Sequence, residues 1–507
     1  MLSIEQQLSE AQTRNALLEQ QVALLQEQVT WLKRRLFGRS SEKAPELSPD
    51  QGALFNEAEV LASTAAPDSI VIPAHERKKA GRKKLAAELP RIEIVHDLPE
   101  AEKRCAQDGT ALERIGEEIA EQLDFQPARL RVLRHIRPKY ACPCCRAGVK
   151  IAPVPSQLLP KSLAAPSLLA HIVTAKYVDG LPLHRQEAQL ARLGVTLGRA
   201  TMAQWMIQLG GTHVVPLINL LGEQLLAAPL IHCDETRLQV LRSEKAGDHW
   251  MWVRAAGPPG RRIVLFDYDP SRGGAVPLRL LAGYRGILMS DGYEAYNAVA
   301  NANGLVHAGC WAHVRRYLED ARRVHPDNAG SARSRLAIAL IGKLYHIERQ
   351  IKERNATDKL AWRAQHSAAV VAELKQWLDA CANTVIPESA LGKAVRYALG
   401  QWPKLTRFLE HGAIPLDNNR IENAIRPFVI GRKGWLFADT PAGATASANL
   451  YSLVETCKAN GLEPHAYLSH LFAELPAART VEQFEALLPW NVSVPHSAAL
   501  AACPIAH

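Results

Sequence analysis

Apolar side chains return at alternating steps of four and three along the first segment, from Ile4 through Leu8, Ala11, Leu18, Val22, Leu25, Val29 and Leu32 to Leu36, with Asn15 taking one place in the series. That spacing predicts a coiled-coil helix. Val22 and Val29 fall at a, Leu18, Leu25 and Leu32 at d, and Asn15 at another a position, an arrangement that favours two parallel strands with the buried amide fixing register. A single amphipathic helix packed on its own chain is the competing reading, with a wider apolar stripe than this one. Periodicity then fades from Pro45 to about Ala74, which reads as a flexible linker.

Helical spacing returns in Pro182 to Gly210, as one helix, a turn at Gly194 and a second helix opening near Thr196 or Gly198. Leu190, Leu193, Val195, Met202, Trp205 and Leu209 could close the small core of a helix-turn-helix, with Arg199, Thr201 and Gln204 facing a major groove. A helical hairpin without a DNA role is the alternative. Farther on the period changes: LIHCDE (230–235), HWMWVRAA (249–256), RIVLFDY (262–268), GILMSD (286–291) and LVHAGC (305–310) are short apolar runs, with helical stretches near Ala275 to Ala282, after Asp291 and from Trp311. They predict an α/β layer with a mixed sheet. From about Ser331 to Leu409 the pattern is helical again.

Composition adds limits. A chain of 507 residues, 47% hydrophobic and 22% charged, is globular for most of its length and too long for one ordinary core. The longest apolar candidate for a span, Val214 to Ile231, is broken by Glu223 and Gln224, and the N-terminus is polar and Gln-rich, so the expectation is a soluble, cytoplasmic protein with no membrane partner. A net charge of +9 fits a polyanionic partner, although general surface stickiness would look the same. The charge is concentrated in HERKKAGRKK (75–84), seven basic side chains in ten residues with His75 included. This stretch, with Arg82, Lys83 and Lys84, reads as an auxiliary DNA contact or as a solvated charge run.

Two groups of residues carry candidate chemistry. Nine cysteines, odd in number and irregularly spaced, argue against a disulfide scaffold. Cys142 and Cys145 have the C-x-x-C spacing of a metal knuckle, and Cys105 with Asp108 matches it apart from the aspartate, so a Cys3Asp zinc site competes with a degenerate knuckle. Asp234 and Asp291 end the first and fourth predicted strands, and come together if those strands are neighbours; Asp291-Gly292 is also a favoured turn dipeptide. Glu422, inside DNNRIENAIRP (417–427), reads by itself as part of a helix start, with Asp417 or Asn418 capping and Arg426 pairing at i,i+4.

HCDET (232–236), SDGYEAYNA (290–298), GCWAHVRRYL (309–318), DNNRIENAIRP (417–427) and GRKGWLF (431–437) resemble the DDE transposases of the insertion sequence 66 family, often called TnpC. FGRSSEK (37–43), the cysteine knuckles and YSLVETCKANGLEPHAYL (451–468) extend the resemblance over nearly the whole chain. It implies a ribonuclease H-like catalytic domain with Asp234, Asp291 and Glu422 as the DDE triad, holding Mg²⁺ or Mn²⁺ for cleavage of DNA and joining of the freed 3′-hydroxyls. Arg315, Arg316, Arg426, Arg432 and Lys433 would approach phosphates or form a solvated basic surface. The sequence departs from the family pattern at Asp108, usually cysteine, at Asn423, usually arginine, and at Gly400, usually asparagine.

The expected fold is multidomain: an α/β ribonuclease H-like catalytic domain with an all-α insertion, preceded by a coiled coil, a zinc-knuckle-like β region and a helix-turn-helix. Expected boundaries are a zipper at 1–44, a linker with the basic arm at 45–90, a knuckle at 91–155, a DNA-binding helical unit at 156–225, the first catalytic part at 226–330, the insertion at 331–410, the glutamate helix at 411–440 and a C-terminal helical region at 441–507. The expected partners are double-stranded transposon ends and target DNA, a second copy of the chain through the zipper, and accessory proteins of the same element. A non-enzymatic DNA-binding regulator and a nuclease that cuts without joining are the competing functions.

Overall fold

The computed structural model describes residues 156–324 and 329–493, together with 130–137, 139–141, 149–151 and helical positions within 12–29. Strands β1 (Lys139–Ala141) and β2 (Val149–Ile151) pair antiparallel. The main sheet holds β3 (Leu230–Leu238), β4 (His249–Ala256), β5 (Ile263–Asp269), β6 (Ile287–Met289) and β7 (Val306–Ala308) in the order β5-β4-β3-β6-β7. Its first three strands are antiparallel neighbours, whereas β6 and β7 run parallel to β3. All eight residues of β4 are buried, which is why HWMWVRAA reads as a continuous apolar run and not as an alternation.

Four helices precede this sheet: α1 (Pro166–Tyr177), α2 (Leu183–Arg192), α3 (Arg199–Gln208) and α4 (Val215–Leu226). A π-helical turn over Leu209–His213 joins α3 to α4. Gly210 is required there, because a side chain would collide with the backbone of Ala446. Within the sheet, α5 (Ala275–Leu280) leads to β6, α6 (Glu294–Asn303) links β6 to β7, and α7 (Trp311–Val324) follows β7. Then come α8 (Ala329–Gln350), α9 (Ala356–Ala382) and α10 (Ala390–Leu405), the all-helical run that the sequence predicts. The chain returns through α11 (Asn419–Trp435), α12 (Pro441–Ala459), α13 (Pro464–Glu474) and α14 (Val481–Ala486).

The sheet is buried by two hydrophobic clusters. One joins β3–β5 and α1–α4 to α11–α13, with Trp252, Phe266, Phe428 and Tyr451 among its members. Helix α12 also satisfies part of the outer strand: Ser452 Oγ accepts from the Phe266 amide at 2.8 Å and Thr456 Oγ1 from the Val264 amide at 3.1 Å. The second cluster gathers Met289 and Ala308 at the ends of β6 and β7 with α7–α10, and is made almost wholly from residues 289–416.

Among the described positions of the first segment all are helical, and Leu18, Val22, Leu25 and Val29 are exposed. In the predicted helix-turn-helix, Leu190, Met202, Trp205 and Leu209 are buried as expected, but Leu193 is exposed. That core is not self-contained, since α3 also packs against α12. Among the described residues no helix is long and apolar enough to cross a membrane.

Candidate active site

Asp234 stands in β3, opposite Val253 of β4. On the other side of β3 the parallel register pairs His232 with Met289, so Asp234 and Asp291 each lie two residues beyond a matched pair. The short apolar β6 stops at Ser290, whose hydroxyl bonds to His307 Nε2 at 2.8 Å and to the Asp291 carbonyl at 3.0 Å. Asp291 Oδ1 accepts from the Tyr293 amide at 3.0 Å and turns the chain into α6. Gly292 is not there for a left-handed turn. A Cβ at this position would lie 2.8 Å from the Tyr397 ring, so the glycine admits α10 against the Asp291 loop.

Glu422 occupies the first turn of α11 and is only 4% exposed. The sequence reading that Asn418 caps this helix changes: Asn418 holds the capping position, but its side chain is turned into the sheet. Its Nδ2 donates to the Cys233 carbonyl at 3.0 Å and its Oδ1 accepts from His232 Nδ1 at 2.8 Å. Its backbone amide donates to Cys310 Sγ at 3.2 Å. The start of α11 is thereby fixed to β3 and to the start of α7 together. Glu422 then faces α7, with Arg316 Nη2 3.6 Å from one carboxylate oxygen and His313 Nδ1 3.7 Å from the other.

Asp234 feels the other carboxylates. Burial pushes Asp234 well above the usual carboxylate range, and the negative charges of Asp291, Glu235 and Glu422 push it further, against one hydrogen bond from the Glu235 amide. Glu235 is raised to about 7 by burial and by Asp291, while Arg272 and Tyr296 oppose the rise. Arg272 grips Glu235 Oε1 through Nη2 at 2.7 Å and Nε at 3.0 Å, and Tyr296 donates to Oε2 at 2.8 Å. The Arg272 guanidinium lies over the rings of Trp250 and Tyr293, 4.6 and 4.1 Å from their centroids, which holds the strand beside Asp234 rigid. Burial and the charge of Arg316 lower His313 to about 3, so its imidazole is neutral.

The model described as "Transposase IS66 family" matches residues 161–446, a segment that contains all three carboxylates. The chain belongs to the IS66 transposase family. Further models match residues 452–490 as the IS66 C-terminal element, residues 102–146 as the zinc-finger binding domain of transposase IS66, and residues 24–94 as the transposase C of IS166 homeodomain. The uncharacterized protein y4jD of Sinorhizobium fredii is 34% identical over 498 residues, covering 94% of this chain and 95% of that one. A second protein from that organism, the uncharacterized y4qI, is 36% identical over 430 residues, 82% of this chain and 78% of its own. These family domains imply a transposase that binds DNA.

Against this IS66 frame the remaining sequence-predicted residues divide. Cys105, Asp108 and Cys142 fall inside the zinc-finger match and Cys145 near its end, but all four, like Arg82, Lys83 and Lys84, lie outside the described residues. Arg199 and Gln204 are exposed on α3, with Thr201 beside them. Lys433 is exposed, and Arg315 and Arg426 are half-buried. Two of the residues expected at phosphates have protein partners: Arg316 is turned onto Glu422, and Arg432 donates to the Arg237 carbonyl.

Sequence reasoning passed over several neighbours of the site. Glu235 stood in the quoted HCDET and Cys310 and His313 in GCWAHVRRYL, where a C-x-x-H spacing at a helix start was a usable signal. Arg272, Tyr397 and Lys404 carried no local signal, because the folded chain brings them in from elsewhere. Lys404 of α10 stands close enough to Asp291 for that carboxylate to raise its pKa, against the larger lowering by burial.

Proposed function

We propose that the chain is a DDE transposase, which binds the terminal inverted repeats of its insertion sequence, cleaves the DNA at the ends and joins the freed 3′-hydroxyls to target DNA. What supports this most is the placement of Asp234 beside Asp291 across the β3–β6 register and near enough to Glu422 for both carboxylates to press their negative charge on it. The strand order β5-β4-β3-β6-β7, with β4 antiparallel to both neighbours, fits a ribonuclease H-like sheet. An all-oxygen donor set with excess negative charge suits a hard cation such as Mg²⁺ or Mn²⁺. Asp234, Asp291 and Glu422 would hold it, and when bound it supplies neutralisation of phosphate charge and activation of the attacking oxygen.

The chain's own groups do the rest. Asn418 holds the glutamate helix on β3, Arg272 and Glu235 stiffen the strand that carries Asp234, and Lys404 offers a cation to phosphate beside Asp291. Arg315, Arg426 and Lys433 guide the DNA backbone. Before the sheet, the basic arm with Arg82, Lys83 and Lys84 binds phosphates, α3 presents Arg199 and Gln204 to base edges, and the Cys105, Asp108, Cys142 and Cys145 knuckle holds Zn²⁺. The exposed seam Leu18, Val22, Leu25 and Val29 pairs two copies in parallel.

The test is a strand-transfer assay with the full-length chain, duplexes carrying the element's own ends, a target plasmid and Mg²⁺. Joined products that vanish with chelator are expected. Cleaved ends without joining would indicate a nuclease, and binding without cleavage a regulator with a decayed catalytic domain.

A further inference from the structure

Cys310 immediately precedes helix α7 and His313 lies in its first turn, and both look at Glu422. Cys310 Sγ, a ring nitrogen of His313 and a carboxylate oxygen of Glu422 all lie within 4.8 Å of one another. Cys310 and Glu422 are buried, at 1% and 4% exposure. His313 Nδ1 is shut off from solvent and makes no hydrogen bond. It faces Glu422 Oε1, while Arg316 takes the side of Oε2.

We propose that Cys310, His313 and Glu422 form a binding site for a thiophilic divalent cation of the zinc class. Cys310 stands just before the helical turn that carries His313, and their ligand atoms already lie within 4.8 Å of each other, so the two converge without backbone change. Bonds of about 2.0–2.3 Å to zinc in a tetrahedron set donors roughly 3.3–3.8 Å apart, so the three atoms need to close by about 1 Å, within reach of side-chain rotation. Sulfur and imidazole select zinc over magnesium or calcium, which prefer oxygen alone. One thiolate and one carboxylate balance the ion's charge, so Arg316 can stay in place. The amide of Asn418, which donates to Cys310 Sγ at 3.2 Å, is the kind of outer contact that steadies a metal-bound thiolate. Three protein ligands leave a fourth position open to water.

This site is separate from the knuckle at 102–146. It shares Glu422 with the carboxylate set of the proposed reaction, so occupancy by a zinc-class ion draws that carboxylate toward α7 and opposes the hard-ion chemistry. That consequence rests on the DDE reading; the binding does not.

The experiment therefore reads binding. Full-length protein with Cys105, Cys142, Cys144 and Cys145 replaced by serine, stripped with chelator, is titrated with Co²⁺. A thiolate-to-cobalt absorption that saturates at one equivalent is expected. Cys310→Ser should abolish it and His313→Ala should weaken binding by about tenfold or more. Absence of the band, or its survival in Cys310→Ser, overturns the site. Because Cys310→Ser removes a buried contact and can unfold the region, X-ray absorption on the zinc-loaded parent gives an answer with the site intact. One sulfur among nitrogen and oxygen neighbours is expected, and a shell without sulfur overturns the proposal whether or not the protein cuts DNA.

Discussion

The two hydrophobic cores that cover the sheet are built in opposite ways. The first joins residues 158–299 to residues 421–488, and contacts such as Ser452 with Phe266 span 186 positions of the chain. The second is nearly continuous, running from Met289 to Leu416. The acidic residues lie where the two meet: Asp234 on a strand of the first core, Asp291 two residues past Met289 of the second, and Glu422 next to Ile421 of the first, just after the chain leaves the second at Leu416. Asn418 stitches this seam, its backbone amide donating to Cys310 Sγ of the second core and its side-chain amide to the Cys233 carbonyl of the first. A site on a seam is positioned by both cores, so a defect in either reaches it, whereas a change in a carboxylate itself reaches neither core.

The largest expected effect separates those two cases. Asp234→Asn keeps the side chain's shape and its acceptor for the Glu235 amide but removes the charge, so cleavage should fall by about 10³-fold or more while DNA affinity stays within about twofold. Measured by end cleavage and by gel shift, equal losses in both would show that Asp234 supports the fold and not the reaction. Next comes a break confined to the second core. Arg363 is fully buried and grips Glu348 through two bonds of 2.7 Å, while donating to the carbonyls of Phe408, His411 and Ile414. Arg363→Leu leaves the partly buried Glu348 carboxylate without its cation and removes the donor to three carbonyls, and should cost about 3 kcal/mol in urea unfolding. Cleavage should fall with it, because Ile414 leads directly to the Glu422 helix.

The contrast between the cores also explains what was legible beforehand. The strands were readable because β4 and its neighbours are buried runs bounded by turns, and the all-helical stretch because its contacts are local and its apolar spacing unmixed. Asp234 and Asp291 could be paired in advance by assuming a parallel β3–β6 neighbour, but the expectation that Asp234 ends its strand is corrected: β3 runs on to Leu238, because its pairing with β4 continues past the apolar run, and only Asp291 lies beyond a strand end. Glu422 by itself could not be told from a helix-start residue; the five quoted motifs singled it out. What stayed hidden were tertiary partners. No periodicity shows that Asn418 turns its amide into β3, that Gly292 makes room for Tyr397, or that Arg316 meets Glu422.

A smaller effect titrates the joint. His307, bonded to Ser290 beneath the Asp291 loop, is lowered from the ordinary 6.5 to about 3 by burial and the charge of Lys404. It is neutral in the fold, so its contribution is present above about pH 6.5 and is lost as pH falls through 6.5 toward 3, because the unfolded chain takes up the proton first. Glu235, raised to about 7, works in the other direction, so the useful quantity is the difference from His307→Gln. The parent's advantage over that variant should shrink by up to about 1.4 kcal/mol per pH unit below 6.5. A gap that stays constant from pH 7 to 5 would mean that His307 is solvated.

The smallest test asks whether the cores open separately. Ser389 caps α10, its hydroxyl accepting from the Gly392 amide at 3.0 Å, and it touches no member of the carboxylate set. Ser389→Ala removes that acceptor and should cost about 1 kcal/mol. Because α9 and α10 belong to the contiguous core, their amides should then exchange roughly fivefold faster, the factor that such an energy implies. The amides of β3–β5, held by the long-range core, should keep their rates. Equal acceleration in both regions would show one cooperative unit, and the seam would then be a line within a single core. Acceleration confined to the helices would make the insertion an independently opening wall of the site, able to move Tyr397 and Lys404 away from Asp291 while Asp234 stays where the sheet holds it.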